Sequence, residues 1–367
     1  MGSANTVLNF GAGPAKLPQE VLEYVQKELL NFNGMGMSVM EISHRSKEYM
    51  KINSDAQKSV RELLKVPDNY KILFMQGGGT GAFAAVAMNL MNRTGTADYC
   101  VTGTWSSKAA QEAAKYGKVN YVFPVAKKPG SIPDQSTWKL DPNASYVYYC
   151  ANETVDGVEY DYIPETNGVP LVSDMSSSIM TKEFDVSKFG VILAGAQKNI
   201  GPAGVTVIII RDDLIGNPMK ICPSVFDFTN IDKNSSIHNT PATFSVYVMN
   251  LVFEWIKKNG GVPEMERQAA KKSELLYNTI KESNGFYSCP IDANCRSRMN
   301  VPFRVGGAEG NEALEEKFLA EAQKLNMHQL KGHRSVGGIR ASLYNAVLYS
   351  DVQGLVNFML EFKKYNS

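Results

Sequence analysis

Residues 191–198 read Val-Ile-Leu-Ala-Gly-Ala-Gln-Lys, and residues 205–210 read Val-Thr-Val-Ile-Ile-Ile. Both are short, nearly continuous apolar runs, which is typical of strands that are covered on both faces. Five similar runs, rich in Val, Ile and Tyr, precede them at residues 71–76, 98–103, 119–125, 145–150 and 170–174. Helical segments separate the first three runs. The pattern therefore predicts an α/β fold, whose large domain has a mostly parallel seven-stranded sheet flanked by helices.

Helical patterns begin on the N-terminal side of this region, one after Pro18 and one over residues 46–65. Beyond residue 260 the pattern of predicted elements changes. Helical patterns cover residues 263–282, about 314–325 and those from 351 onwards, and extended runs cover residues 298–305 and 339–344. This change predicts a smaller α+β C-terminal domain. We assign residues 17–260 to the large cofactor-binding domain and residues 1–16 and 261–367 to the small substrate-side domain, with Asn259-Gly-Gly261 as the hinge.

Composition restricts the classes of function that the chain can have. Its 38 basic and 37 acidic residues give a net charge of +1, with no block of like charge, which argues against nucleic acid and anionic membranes as partners. The most apolar stretch, residues 205–210, is too short to span a bilayer. The five cysteines show no metal-binding spacing, so we expect no metal site and a location in the reducing cytoplasm.

Lys198 is the strongest candidate for a catalytic residue. It ends an apolar run, lies among small residues and precedes another strand, so it should be partly buried. Most lysines are solvated surface charges. A buried amine, however, is costly unless it is paired or used, and its lowered pKa makes it a nucleophile towards carbonyl groups.

Asp174 is the second candidate, and it ends the preceding run 24 residues before Lys198. A loop or capping carboxylate is the plainer interpretation. The carboxyl ends of strands in α/β sheets are, however, where ligands bind. A carboxylate there can keep a pyridine nitrogen protonated, and an acid of this kind combined with a Schiff-base lysine is typical of pyridoxal phosphate enzymes.

A glycine-rich loop, Gln76-Gly-Gly-Gly-Thr-Gly81, joins the first strand to a helix that is predicted to begin near Ala82. Free N–H groups at a helix start favour a phosphate. A dinucleotide fingerprint is a weaker alternative, because the acid that it requires would be Asp98, which begins a strand instead of ending one. A tight turn without a ligand also remains open.

Anion binding is indicated by two His-Arg pairs, His44-Arg45 and His333-Arg334, in a chain that has only four histidines. Arg340 follows the second pair. Each of these residues is individually more often a surface or capping group. Arginine, however, binds phosphate or carboxylate through two parallel hydrogen bonds, and imidazole adds a further donor. Several such groups suit a substrate that is anionic at both ends.

Over essentially its whole length the sequence resembles the phosphoserine aminotransferases, a family of fold-type-I pyridoxal phosphate enzymes. The segments that carry the resemblance are Phe10-Gly-Ala-Gly-Pro-Ala15, Ser38-Val-Met-Glu-Ile-Ser-His-Arg-Ser46, Gly77-Gly-Gly79, Gly103-Thr-Trp-Ser106, Asn152-Glu-Thr154, Asp174-Met-Ser-Ser177, Gln197-Lys-Asn199, Asn239-Thr-Pro241, Met299-Asn-Val-Pro-Phe303 and Gly332-His-Arg-Ser-Val-Gly-Gly-Ile-Arg-Ala-Ser342. Their number, order and spacing make the resemblance specific.

The resemblance implies a role for each matching residue. Lys198 would form the Schiff base, Asp174 would bind the pyridine nitrogen, Trp105 would stack on the ring and Thr154 would bond to the 3-hydroxyl group. The cofactor phosphate would be held by Gly79, Thr80 and Gln197, joined across a homodimer by Asn239 and Thr240. The substrate's distal anion would be bound by His44 and Arg45, again from across the dimer, and by His333 and Arg334. Arg340 would bind the α-carboxylate.

The implied reaction moves an amino group from L-glutamate to 3-phosphohydroxypyruvate, giving 2-oxoglutarate and O-phospho-L-serine for serine biosynthesis. The homodimer would share its active sites between subunits. Three alternatives remain: another fold-type-I aminotransferase of small amino acids, such as one acting on alanine and glyoxylate, a nicotinamide-binding oxidoreductase, and a binding protein without catalytic activity.

Overall fold

The computed structural model describes residues 7–367. In these residues the helices are α1 Gln19–Glu28, α2 Lys47–Leu63, α3 Gly78–Leu90, α4 Thr104–Ala113, α5 Phe228–Lys233, α6 Thr243–Lys258, α7 Gly261–Glu282, α8 Glu312–Lys324 and α9 Tyr349–Asn366. The strands are β1 Leu8–Asn9, β2 Tyr70–Met75, β3 Thr96–Cys100, β4 Lys118–Tyr121, β5 Val147–Cys150, β6 Leu171–Asp174, β7 Val191–Gly195, β8 Thr206–Arg211, β9 Tyr287–Ser288, β10 Asn300–Val305, β11 Met327–His328 and β12 Ile339–Ser342.

The seven apolar runs form one sheet with the strand order β2-β8-β7-β6-β5-β3-β4. Only β8 runs antiparallel to its neighbours, so the predicted mostly parallel seven-stranded sheet is confirmed. Every residue of β5, β6 and β7 is buried. Burial of both faces explains why these strands are continuously apolar instead of alternating with polar residues.

Helices cover both faces of the sheet and form two cores. One core includes Tyr49 of α2, Phe253 of α6 and Ile209 of β8. The other includes Phe83 of α3, with Ala109 of α4 on the same face. No helix in residues 7–367 is long and apolar enough to cross a membrane.

Helix α6 has no counterpart among the sequence predictions, although it has 16 residues. Its buried side chains include four consecutive residues, 246–249, as well as Val252, Phe253 and Ile256. The helix lies against α1, α2 and α7. Because it is covered on several sides, its apolar residues do not form a single stripe, and the helical period is hidden in the sequence.

The C-terminal part forms a smaller antiparallel sheet in which β10 lies between β12 and β9, as the predicted α+β pattern requires. Its core also contains Phe10, because β1 pairs with β11. Helix α7 joins the two parts: Val262 belongs to a large-sheet core, whereas Leu276 belongs to the C-terminal core. The domain boundaries at residues 16 and 260 stay a prediction, and residues 1–6 of that prediction lie outside the described residues.

Candidate active site

The candidate residues at the strand ends lie along one edge of the large sheet. Asp174 ends β6 and is in register with Cys150 and with Leu193. Met75 at the end of β2 pairs with Thr206, which pairs in turn with Gly195 at the end of β7. Adjacent strands are about 4.8 Å apart, so the glycine-rich loop after β2 starts about 10 Å from the segment that carries Gln197 and Lys198.

The side chain of Lys198 is buried at this edge, with 8% of the residue exposed. Its Nζ donates a hydrogen bond to Oγ1 of Thr154 at 2.6 Å and lies 5.8 Å from the centroid of the Trp105 ring. Burial lowers the pKa of the amine, and the nearby Asp174 carboxylate opposes this shift. The amine is thus removed from water, as the sequence predicts, and an aromatic ring and an acid lie near it.

Asp174 is also buried, and its carboxylate accepts a hydrogen bond from the backbone N–H of Ser176 at 2.8 Å. Burial raises the pKa of this carboxyl group, whereas the charge of Lys198 and the hydrogen bonds from Ser176 hold it down. A buried acid of this kind gains from a cationic partner such as a protonated pyridine nitrogen.

Thr154 connects Lys198 to the C-terminal part of the chain. Its hydroxyl accepts the bond from Lys198 and donates to Oγ of Ser177 at 3.0 Å. Its carbonyl oxygen accepts a bond from Nη1 of Arg340 at 3.3 Å. Arg340 lies on β12, opposite Pro302 of β10. Residues that are 186 positions apart therefore meet at the threonine that binds the buried amine.

His333 and Arg334 occupy the loop between β11 and β12. Nδ1 of His333 accepts the backbone N–H of Ser335 at 3.2 Å and shares a hydrogen bond of 2.6 Å with the Ser335 hydroxyl. Burial, with the charges of Arg340, Lys108 and Arg334, lowers the pKa of the imidazole. The neutral tautomer with its proton on Nε2 satisfies these contacts and leaves Nε2–H to donate to an anion. Arg334 is exposed.

The glycine-rich loop differs in one detail from the sequence prediction, because α3 begins at Gly78 instead of near Ala82. Gly79 and Thr80 therefore belong to the first helical turn, where backbone N–H groups have no partner within the helix. Gly77, which caps the helix, has φ +104°, a conformation that favours glycine. This helix start fits a phosphate group, with Thr80 able to contribute its backbone N–H.

Asn239 and Thr240 lie near the same loop within one chain. Nδ2 of Asn239 donates to Oε1 of Gln76 at 2.9 Å, and Nε2 of Gln76 donates to the carbonyl oxygen of Thr240 at 3.1 Å. Gln197 is partly buried, and its backbone carbonyl accepts the N–H of Ala15 at 2.9 Å.

His44 and Arg45 immediately precede α2, whose first turn is capped by the Ser46 hydroxyl. Arg45 is exposed, and His44 is partly buried. Neither side chain forms a hydrogen bond with His333, Arg334 or Arg340 in the single chain as far as residues 7–367 describe it. The two His-Arg pairs therefore do not contact each other through hydrogen bonds within the described chain, and their meeting across a dimer stays a prediction.

Trp105 lies in the first turn of α4, and its backbone N–H donates to a carboxylate oxygen of Glu153 at 2.8 Å. Four further residues, which the sequence patterns do not single out, contact predicted site residues or their neighbours: Glu153, Asp156, Ser176 and Ser177. The available signal was position: Glu153 and Ser177 lie inside the motifs that contain Thr154 and Asp174.

The residues at this edge fit pyridoxal phosphate as a cofactor. A buried primary amine, a buried carboxylate, an aromatic ring and an unpaired helix N-terminus are the groups that bind its aldehyde, ring nitrogen, ring face and phosphate. The indole Nε1 of Trp105 is buried without a hydrogen-bond partner in the described chain, as expected of a side chain that faces a ligand site.

Comparison with known proteins agrees with this geometry. The family model of class-V aminotransferases matches residues 7–355, so fold and site define an aminotransferase of class V. The chain is 65% identical to the phosphoserine aminotransferase of Drosophila melanogaster, over 98% of this chain and 99% of the relative. It is 50% identical to the phosphoserine aminotransferase of Laribacter hongkongensis, over 98% and 99% of the two chains. The chain belongs to the phosphoserine aminotransferase family.

Solved structures of the family have the same fold. The phosphoserine aminotransferase from Bacillus circulans subsp. alkalophilus is 40% identical and superposes with a TM-score of 0.95, covering 99% of this chain and all of that one. A PLP-bound phosphoserine aminotransferase from Trichomonas vaginalis is 39% identical with a TM-score of 0.93, covering 97% of this chain and 100% of that one. Membership of this family decides against the nicotinamide-binding and non-catalytic alternatives.

Proposed function

We propose that the chain transfers an amino group from L-glutamate to 3-phosphohydroxypyruvate, giving 2-oxoglutarate and O-phospho-L-serine, with pyridoxal 5′-phosphate as cofactor. The observation that carries the proposal is the buried Lys198 amine, which donates to Thr154 at 2.6 Å, lies near Asp174 and shares Thr154 as a hydrogen-bond partner with Arg340. The names of the relatives, at 50–65% identity over nearly the whole chain, support the substrates. The reaction is a step of serine biosynthesis.

The cofactor supplies a ring that accepts electrons from the substrate when it is bound. Lys198 would link to it covalently, Asp174 would hold its ring nitrogen protonated and Trp105 would cover its ring. Thr154, which bonds to Lys198 in the described chain, would bond to its 3-hydroxyl group. The phosphate would be bound by Gly79, Thr80 and Gln197 together with the partner subunit's Asn239 and the partner subunit's Thr240.

Lys198 also has to move a proton at the substrate Cα. An amine can accept that proton only when it is neutral, and burial favours the neutral form by lowering the pKa of Lys198. Thr154 orients the amine through the 2.6 Å hydrogen bond, and the buried position excludes water that would compete for the proton.

Substrate recognition requires two anion sites. Arg340, tied to the carbonyl of Thr154 at 3.3 Å, would bind the α-carboxylate that all amino acid substrates share. His333 and Arg334, with the partner subunit's His44 and the partner subunit's Arg45, would bind the distal group. That group is a carboxylate in glutamate and a phosphate in phosphoserine, and a mixed site of imidazole and guanidinium donors accepts both.

A coupled assay tests the proposed reaction. The purified chain with pyridoxal phosphate should convert glutamate and 3-phosphohydroxypyruvate to 2-oxoglutarate and phosphoserine, with 2-oxoglutarate followed through glutamate dehydrogenase. Alanine with glyoxylate serves as the competing pair, since it represents the alternative aminotransferase of small amino acids. Faster turnover of that pair than of the phosphorylated one would reject the proposed substrates.

Arg340→Gln and Arg334→Gln should differ in the substrates that they impair. Arg340→Gln should lower kcat/KM for glutamate, phosphoserine and alanine alike, by about ten- to a hundredfold, because each loses a charge-assisted bond to its α-carboxylate. Arg334→Gln should cause a similar loss with glutamate and phosphoserine but leave alanine unchanged, since alanine has no distal anion. Single-turnover rates with the three amino acids measure this difference.

The matched control is Arg267→Gln, which removes an exposed arginine paired with Glu264 on α7. It should leave all three rates unchanged. Equal losses in Arg334→Gln for alanine and for phosphoserine would contradict the assignment of Arg334 to the distal anion.

We also propose a cytosolic homodimer that shares its active sites. A chain carrying Arg45→Ala, mixed with a chain carrying Lys198→Ala, should regain activity after subunit exchange. Each homodimer is defective, but the mixed dimer assembles one site from the unmutated Arg45 and Lys198, so it should show roughly half of the normal activity per dimer. Turnover after exchange, with mixed dimers isolated by two affinity tags, measures the recovery.

The control for this experiment mixes Lys198→Ala with Asp174→Asn. Both residues belong to one chain's sheet edge, so neither site of that mixed dimer is intact and no recovery is expected. If the Arg45→Ala mixture, like the control, fails to recover activity after verified subunit exchange, the shared site is contradicted.

A further inference from the structure

We propose that Glu153 and Asp156 are positioning residues that hold the first turn of α4 and thereby fix the ring of Trp105 over the cofactor site. The inference rests on the proposed function, in which Trp105 covers the cofactor ring. It adds a cause for the placement of that ring: two buried carboxylates on one loop, neither of which contacts the reacting atoms.

Glu153 binds the start of α4 through several donors. Its side chain is fully buried, and its two carboxylate oxygens accept the backbone N–H of Trp105 at 2.8 Å and the backbone N–H of Ser106 at 2.9 Å. The hydroxyl of Ser106 donates to the same carboxylate. These two N–H groups have no acceptor within the helix. The Glu153 carboxylate therefore supplies the missing acceptors for Trp105, which carries the indole ring, and for Ser106.

Asp156 holds the preceding residue in the same way. Its carboxylate accepts the backbone N–H of Thr104 at 2.6 Å and the hydroxyl of Thr104 at 3.3 Å. Three successive backbone N–H groups, of residues 104–106, are thus held by two acids three positions apart. The first turn of α4 is fixed on both sides of Trp105.

Gly103 makes this arrangement possible. A Cβ at this position would lie 2.6 Å from Oδ2 of Asp156 and 2.6 Å from Cδ of Glu153, so any larger residue would push the carboxylates away from the helix. The close approach explains the glycine, whose backbone is extended and does not itself require one.

Two buried acids are more than the start of a helix needs to provide acceptors for its free N–H groups. A Ser, Thr, Asn or Asp side chain at the N-cap satisfies one or two N–H groups at little cost. Here the carboxylates are buried close to each other, and burial and mutual repulsion raise the pKa of Glu153 to about 7. The free-energy cost of burying two carboxylates close together is ordinarily found where the position of a side chain matters for binding or catalysis.

The same loop also carries Thr154, which bonds to Lys198. Residues 153–156 therefore contact the helix of Trp105 on one side and the catalytic amine on the other, and Nζ of Lys198 lies 5.8 Å from the Trp105 ring. A change at Glu153 should alter the ring's position relative to Lys198 without removing any group that reacts.

Trp105 itself provides the test, because the chain has only three tryptophans. In a background with Trp138→Phe and Trp255→Phe, fluorescence reports on Trp105 alone. In Glu153→Gln an NH2 group replaces one of the two oxygens that accept the backbone N–H groups of α4, so a donor faces a donor. This variant should therefore show increased acrylamide quenching of Trp105 at pH 8 in the cofactor-free full chain. It should also weaken the quenching of Trp105 by added pyridoxal phosphate. In the holoenzyme kcat should fall about ten- to a hundredfold with KM for glutamate little changed.

The matched control is Asp98→Asn. Asp98 is equally buried, accepts the backbone N–H of Asp141 at 2.7 Å and the side-chain amide of Asn120 at 2.9 Å, and lies on β3 five residues before Gly103. The variant Asp98→Asn should unfold at a lower temperature without a change in Trp105 fluorescence or in kcat. If Glu153→Gln does not fold, Glu153→Asp and Asp156→Asn test the same contacts.

Trp105 quenching and kcat in Glu153→Gln that match the Asp98→Asn control would overturn the positioning role. The proposed function is judged separately, by turnover of 3-phosphohydroxypyruvate in the unmutated chain. Increased mobility of Trp105 without that turnover would support the positioning role and reject the substrate.

Discussion

Replacing Lys198 by alanine should abolish turnover while the protein stays folded. Both proposed roles of the residue, the covalent link to the cofactor and proton transfer at the substrate Cα, require the amine. General acid–base catalysis alone accounts for about 10²- to 10⁴-fold, so the loss should be at least about ten-thousandfold. Steady-state rates with glutamate and 3-phosphohydroxypyruvate measure it, and borohydride reduction followed by peptide mapping should no longer attach the cofactor to residue 198.

Stability should change little in this variant. The amine is buried without an ion pair within 4 Å in the described chain, and its bond to Thr154 only partly offsets the cost of removing it from water. Lys182→Ala is a suitable control, because Lys182 is a partly buried lysine whose pKa is also lowered by burial, and its Nζ donates to the carbonyl oxygen of Tyr160 at 2.9 Å. The control should turn over normally. Near-normal rates in Lys198→Ala, free of unmutated protein, would reject Lys198 as the catalytic amine.

Asp174→Asn should retain the cofactor but lose about a hundred- to a thousandfold in kcat. An amide cannot stabilise a positive charge on the ring nitrogen as a carboxylate does, and removal of a preorganised electrostatic partner typically costs this much. The variant keeps an oxygen that can accept the N–H of Ser176, so the end of β6 should remain in place. Rapid-quench rates of the first half-reaction and the dissociation constant of the cofactor measure the two effects.

Asp98→Asn again serves as the comparison, since it replaces a buried strand carboxylate away from the site. It should leave kcat unchanged. An unchanged kcat in Asp174→Asn would instead assign Asp174 to capping the turn after β6, the plainer of the two interpretations that the sequence allows.

The strands and the position of the site follow from local sequence. A strand buried on both faces must be apolar at successive positions, so residues 191–195 and 206–210 are recognisable without knowledge of their neighbours. The polar residue at the end of such a run, Asp174 or the Lys198 just beyond it, then lies at the sheet edge where ligands bind. These patterns predict both residues without reference to any related protein.

Only the tertiary structure decided which distant residues meet at that edge. Arg340 reaches Thr154 because β12 pairs with β10 and the C-terminal sheet lies against the loop after β5, a contact between residues 186 positions apart that no local period encodes. Helix α6 was hidden for a related reason, since surfaces on several sides bury it. Glu153 and Asp156 resemble ordinary surface acids in the sequence. Packing against the first turn of α4 removes them from water, and that burial is a property of the folded chain alone.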